Sequence, residues 1–127
     1  MCHGVFDVLH YGHLYLFQEA KKHGTRLIVS MVGDNFVRKG PGRPVFNERE
    51  RAAMLRALRV VDQVAITTAV EWWEEHLRRY TPNVYVRGDE GKVLPEAELL
   101  ASLRVKTVLI PRIDYSTTSI ADRIKKS

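Results

Sequence analysis

Residues 4 to 24 read GVFDVLHYGHLYLFQEAKKHG, with His10 and His13 three apart and Gly12 between them. Leu14, Phe17 and Ala20 share one helical face, so the spacing predicts a helix over residues 14 to 22, with His23-Gly24 as its stop. A strand leading to Val5 therefore feeds a helix whose first turn carries two imidazoles. Residues three apart project to the same side of a helix start, the free backbone N–H groups there attract anions, and glycine admits a ligand close to the backbone. That combination predicts a phosphate site in which two imidazoles donate hydrogen bonds to charge building up in a transition state. Two other readings stay open at this point. The histidines serve as ordinary helix-start residues, or they join Cys2 or His3 in a zinc site, although their spacing matches no standard finger.

Outward from this stretch, apolar runs and helical patterns alternate with no repeat, low-complexity segment or linker. Residues 26 to 32 (RLIVSMV), 62 to 66 (DQVAI), 84 to 87 (VYVR) and 106 to 110 (KTVLI) read as further strands. Asn47 is placed to cap a helix running to Leu58, with Glu48 and Glu50 in its first turn, and residues 70 to 80 (VEWWEEHLRRY) form the next helical pattern. Short strands alternating with helices predict an α/β fold: an open parallel five-stranded sheet with helices on both faces. In such sheets ligands bind beyond the carboxyl ends of the strands. FDVLHYGH, Gly33-Asp34, RGDEGK and PRIDYSTTS all follow strands and converge on that edge.

The chain has 127 residues, 45% hydrophobic and 28% charged, within the range of one soluble domain. No apolar run approaches the roughly 18 residues that a membrane span requires. Its single cysteine, Cys2, has no partner for an internal disulfide and the start shows no signal-peptide pattern, so the reducing cytoplasm is the expected location. A net charge of +5 suits an anionic partner. Nucleic acid and phosphorylated small molecules both qualify, although no aromatic ladder accompanies the basic residues as a single-strand binding groove would want, and an ordinary solvated basic surface is the plainer reading of the charge.

GVFDVLHYGH resembles the GxFDxxHxGH motif of the cytidylyltransferase-like nucleotidyltransferases. KGPGRPVFNERERAAMLRALRVVDQV resembles their middle segment and PRIDYSTTSI their closing RTxGISTTxI element, in the expected order. The resemblance implies a Rossmann-like single domain over residues 1 to 127, usually a homodimer, that joins a nucleotide to a phosphorylated alcohol or sugar and releases pyrophosphate with the help of Mg2+. It makes His10, His13 and Lys39 the catalytic group and puts Phe6, Asp7 and Gly12 in the nucleotide-binding turn. Asp89 and Arg112 fall near the base, and Ser116, Thr117 and Thr118 near the β- and γ-phosphates. Asp34, Arg59 and Asp62 fall on the acceptor side, with Gln63 where the family has an acidic residue. The magnesium is expected to be held mainly by the triphosphate.

Within the family, polyol and amino-alcohol phosphates are usually activated with CTP and heptose phosphates with ATP. Arg59, Arg112 and either Trp72 or Trp73 resemble the cytidylyltransferases, whereas GPGRPVFNE and PNVYVRG look like the heptose-phosphate adenylyltransferase domain. The expected reaction is CMP transfer from CTP onto a phosphorylated acceptor, with ATP-dependent adenylyl transfer to a heptose-type phosphate as the alternative. A nucleotide-binding module without catalysis is the reading from another class. An aminoacylation or RNA-binding role lacks the KMSKS-like lysine loop and the additional domains of tRNA-charging enzymes. The tryptophans, on an amphipathic pattern, are expected in the core or at an interface rather than on the base.

Overall fold

Strands β1 (Cys2–Gly4), β2 (Ile28–Met31) and β3 (Gln63–Ile66) pair in parallel in that order, and β4 (Val84–Gly88) pairs in parallel with β5 (Lys106–Ile110). The structure is a computed structural model that describes residues 1–111 and 113. Met1 joins the two ladders: its amino group donates to the Val84 carbonyl at 2.8 Å, and Val86 N–H donates to the Met1 carbonyl at 2.9 Å. These bonds put Met1 opposite Tyr85 and give one five-strand order, β3-β2-β1-β4-β5. The expected α/β architecture is met, with β1 central although it is only three residues long.

Alternation along the strands sends successive side chains to opposite faces. One face carries Cys2, Val29, Met31, Val64 and Val86, which pack with Phe17 and Ala20 of α1 (Tyr11–Lys21) and Ala52 and Leu55 of α2 (Glu48–Arg56). The other carries Met1 and Tyr85, which pack with Trp72, Leu77, Leu99 and Leu100. Phe17, Val29, Met31, Leu55 and Leu77 are wholly buried, and each such side chain is worth about 1.5–3 kcal/mol.

Helix α1 starts earlier than its apolar face suggests, because His10 is its N-cap. Helix α2 begins where expected: Asn47 accepts from Glu50 N–H at 2.9 Å, and Glu50 accepts from Asn47 N–H at 3.1 Å. The helix expected over residues 70 to 80 is different in kind. Trp73–Leu77 is a π-helical turn that passes into a short α3 (Arg78–Tyr80), and Thr81 ends it at φ 39°. Helix α4 (Ala97–Ser102), which covers the same face beside β5, was not expected from the sequence pattern. No helix among the described residues is long and apolar enough to cross a membrane.

Candidate active site

The turn from β1 into α1 is built around Phe6, whose φ of 52° is uncommon for a bulky residue. Its ring folds back over Gly4, where an added Cβ would lie 2.9 Å from the ring, and meets His13 and Phe17 edge-on. Beyond it the two histidines cap the helix together. Gly12 N–H donates to His10 Nδ1 at 3.0 Å, and His10 N–H donates to His13 Nδ1 at 3.3 Å. The rings stack with centroids 3.8 Å apart. A nitrogen that accepts a backbone N–H carries a lone pair, so in the neutral ring the proton must reside on Nε2. Burial lowers the pKa of both; for His13, His10 and Lys39 add to the effect and it falls to about 4. Two neutral imidazoles therefore present Nε2–H donors at one helix N-terminus, where backbone dipoles also favour an anion.

A cleft of about 870 Å3 opens at the carboxyl edge of the sheet, and His10, Gly12, His13, Lys39 and Arg43 line one half of it. The loop bearing Lys39 is fastened by Asp7. This buried carboxylate accepts from Val45 N–H at 2.8 Å, Phe46 N–H at 3.1 Å and Arg43 Nε at 2.5 Å. Burial pushes its pKa up, but the Val45 and Phe46 amides and the Arg43 guanidinium outweigh that, and the net direction is down. Asp7 thus acts on the cleft through the loop that it fastens.

Sequence reading missed Arg51, which is 0% exposed. It donates to the carbonyls of Phe46 at 3.0 Å, Val5 at 2.9 Å and Val32 at 2.7 Å, and to the Asp34 carboxylate at 2.6 Å. One guanidinium thereby ties the segments after β1 and β2 to the loop before α2. The signal was its place beside Ala52 and four residues before Leu55, on the buried face of α2.

The sequence profile described as Cytidylyltransferase-like matches residues 1–123. The chain belongs to the cytidylyltransferase-like family. Among relatives of this cytidylyltransferase-like chain, a bifunctional protein HldE from Streptomyces coelicolor is 41% identical over 125 residues, covering 94% of this chain and 27% of that protein. An FAD synthase from Pyrococcus abyssi is 37% identical over 113 residues, covering 85% of this chain and 76% of that protein. The chain thus spans about a quarter of the length of the bifunctional relative. A solved structure of a lipopolysaccharide core biosynthesis protein from Thermoplasma volcanium aligns with TM-score 0.76 at 31% identity, over 90% of this chain and 96% of that one.

The cytidylyltransferase-like expectations for the acceptor side fare unevenly. Asp34 follows β2 on the ligand edge, but one carboxylate oxygen is held by Arg51. Asp62 precedes β3, takes the Leu27 N–H at 2.7 Å and pairs with Lys21. Exposed Arg59 lies just before it. Both are therefore at the amino edge of the parallel sheet, opposite the cleft, and the structure does not bring them to the histidines. Asp89 follows β4 on the correct edge, with Oδ1 accepting from Gly91 N–H at 2.9 Å. Arg112, Ser116, Thr117 and Thr118 lie outside the described residues. Cys2 is buried on the α1–α2 face with its thiol pushed up to about 12 by burial, and among the described residues it gathers with no pair of histidines as the zinc reading requires.

Magnesium takes oxygen ligands in near-octahedral order and is commonly carried by substrate phosphates. Among the described residues no three His, Cys, Asp or Glu side chains gather as a metal site. The half of the cleft around His10 and His13 offers imidazole N–H, ammonium and guanidinium groups instead. These residues do not fit a protein-held Mg2+, and they do fit phosphate oxygens.

Proposed function

We propose that residues 1–127 act as a nucleotidyltransferase domain, moving a nucleotidyl group from a nucleoside triphosphate onto the phosphate of a phosphorylated sugar, polyol or alcohol and releasing pyrophosphate. The reading rests on one observation: His10 and His13 cap their own helix through Nδ1, which leaves two fixed Nε2–H donors beside Lys39 at the mouth of an open α/β sheet. An acceptor phosphate oxygen attacks the α-phosphorus, and the bond from that phosphorus to the pyrophosphate oxygen breaks. The imidazoles donate to phosphate oxygens whose charge grows in that step, while Lys39 and Arg43 offset the charge of the triphosphate. Donors already held in place spend nothing on reorganisation when the charge moves. Mg2+ enters with the triphosphate.

ATP is the donor this reading favours. An FAD synthase is among the relatives, and its named product contains adenine, which supports adenylyl transfer here. CTP, expected from the sequence, is the second reading, supported by Asp89 on the ligand edge, where a carboxylate suits the cytosine amine. The homodimer that goes with either is checked by sedimentation. Pyrophosphate release is measured with Mg2+ and ATP or CTP against heptose 1-phosphate, ribitol 5-phosphate, glycerol 3-phosphate, phosphoethanolamine and flavin mononucleotide. The expected result is acceptor-dependent release with ATP at least about tenfold faster than with CTP. Release with CTP alone would exchange the base. Nucleotide binding without release from any pair would leave a binding module and overturn the proposal.

A further inference from the structure

The other half of the cleft has a floor that an apolar sheet face does not explain. Register aligns Ser30 with His3, and the Met1 bonds carry the alignment on to Arg87, so three neighbouring strands place a polar residue in one row. His3 and Arg87 line the cleft. His3 Nδ1 is 2.8 Å from Ser30 Oγ, which is 2.6 Å from Nδ1 of buried His76 on the π-helical turn. Trp72 covers one face of the His3 ring, stacked nearly parallel with centroids 3.8 Å apart.

The hydrogens along this chain follow from its far end. His76 Nε2 is the nitrogen turned to the Glu75 carboxylate, 3.7 Å away, and the Ile66 carbonyl also favours a ring N–H, so Nε2 carries the proton. His76 Nδ1 is then a lone pair to which Ser30 donates its one hydrogen. Ser30 Oγ must in turn accept from His3 Nδ1–H, which leaves His3 Nε2 unprotonated on the remaining edge of a ring that lines the cleft. Burial keeps both rings neutral at ordinary pH, His3 falling to about 3 with His76 adding to the effect, and His76 also being lowered. Next in the row, Arg87 Nη1 is buried with no hydrogen-bond partner among the described residues. A lone pair beside a guanidinium N–H suits a group that both donates and accepts. An alcohol does so; a phosphate dianion offers no proton to the lone pair.

We propose that His3, its tautomer set by the Ser30–His76 chain, accepts a hydrogen bond from a hydroxyl of the phosphorylated acceptor, so that this half of the cleft selects polyhydroxylated phosphates. The proposal rests on the nucleotidyl-transfer reading for its acceptor. His3 is a specificity residue, and Ser30 and His76 are positioning residues. Its test needs no turnover: 15N-histidine NMR of the whole chain, with and without saturating glycerol 3-phosphate, mannose 1-phosphate or n-propyl phosphate. His3 is expected as the Nδ1–H tautomer and His76 as Nε2–H. The bare His3 Nε2 resonance should move upfield with at least one of the two hydroxylated phosphates and stay in place with propyl phosphate. Ser30→Ala should mix the His3 tautomers, a change that loss of packing alone does not produce. His3→Phe, which keeps a ring against Trp72, should raise KM for a hydroxylated acceptor about tenfold with little change in kcat or in nucleotide KM. A His3 protonated at Nε2, or a resonance that ignores both hydroxylated phosphates or answers propyl phosphate equally, would overturn it. Turnover accompanied by any of those results would leave nucleotidyl transfer standing and remove this proposal alone.

Discussion

His10 N–H donates to His13 Nδ1 at 3.3 Å, so the residue that caps the helix is itself held by the second histidine. The contact combines two functions. It closes the N-terminal turn as a Glu or Gln at the third helical position commonly does, and it fixes which nitrogen of His13 bears hydrogen.

Those two functions separate by substitution. His13→Ala removes both and should cost about 1 kcal/mol of stability along with roughly two to three decades of kcat. His13→Glu supplies the usual capping acceptor and should keep the native urea midpoint, yet place a negative charge against the phosphates and abolish turnover. A midpoint lowered only in His13→Ala, with near-native kcat in both variants, would show that the pair only caps.

The loop carrying Lys39 should depend on the buried carboxylate that fastens it. Asp7→Ala releases Val45, Phe46 and Arg43 together and should cost about 2 kcal/mol, raise the nucleotide KM, lower kcat and speed tryptic cleavage at Lys39. An unchanged cleavage rate would separate Asp7 from the loop.

Arg51→Met leaves three carbonyls and the Asp34 carboxylate without their donor and should lower stability by about 3–5 kcal/mol in denaturant titration. A loss below about 1 kcal/mol would mean that water replaces the guanidinium freely.

Acid should destabilise the fold in a defined window. His3, His10, His13 and His76 are all held below the usual histidine pKa, chiefly by burial. The unfolded chain then binds protons that the folded chain refuses, so stability is greatest above about pH 6.5 and falls as pH drops toward 4. Asp7, Asp62 and Glu75, held low in the fold, add their loss only below about pH 4. Urea midpoints at pH 7.5, 6 and 5 should decline in that order; a flat series would show that the histidines titrate normally.

The parts legible in sequence were those set by local pattern. Strand β5 was read to the residue, since Lys106–Ile110 is an uninterrupted run ending at Pro111, and Asn47 with Glu50 announces α2. The histidine motif and its place after β1 were equally plain. What sequence hid depends on long-range contact. Within RERAAM, Arg51 looks like part of a charged surface, and only the fold shows it bonded to Val5 and Val32. The pattern of residues 70 to 80 suits a helix, but Trp72 stacking on His3 and His76 reaching Ser30 accompany a π-helical turn that a 3.6-residue period does not reveal. Asp62 was a different failure: a residue before a parallel strand belongs to the edge away from the ligand, and strand position alone would have placed it there.

Nucleotidyl transfer by the histidine pair is tested most directly by 31P NMR of the purified chain with Mg2+, ATP or CTP, and a phosphorylated acceptor that turns over, run beside His13→Glu. The expected spectrum gains free pyrophosphate and the paired phosphorus signals of a new diphosphate bridge between nucleotide and acceptor, both absent with the variant although it folds and keeps its urea midpoint. Equal product from the variant, or nucleoside diphosphate and inorganic phosphate in place of the bridged product, would contradict it.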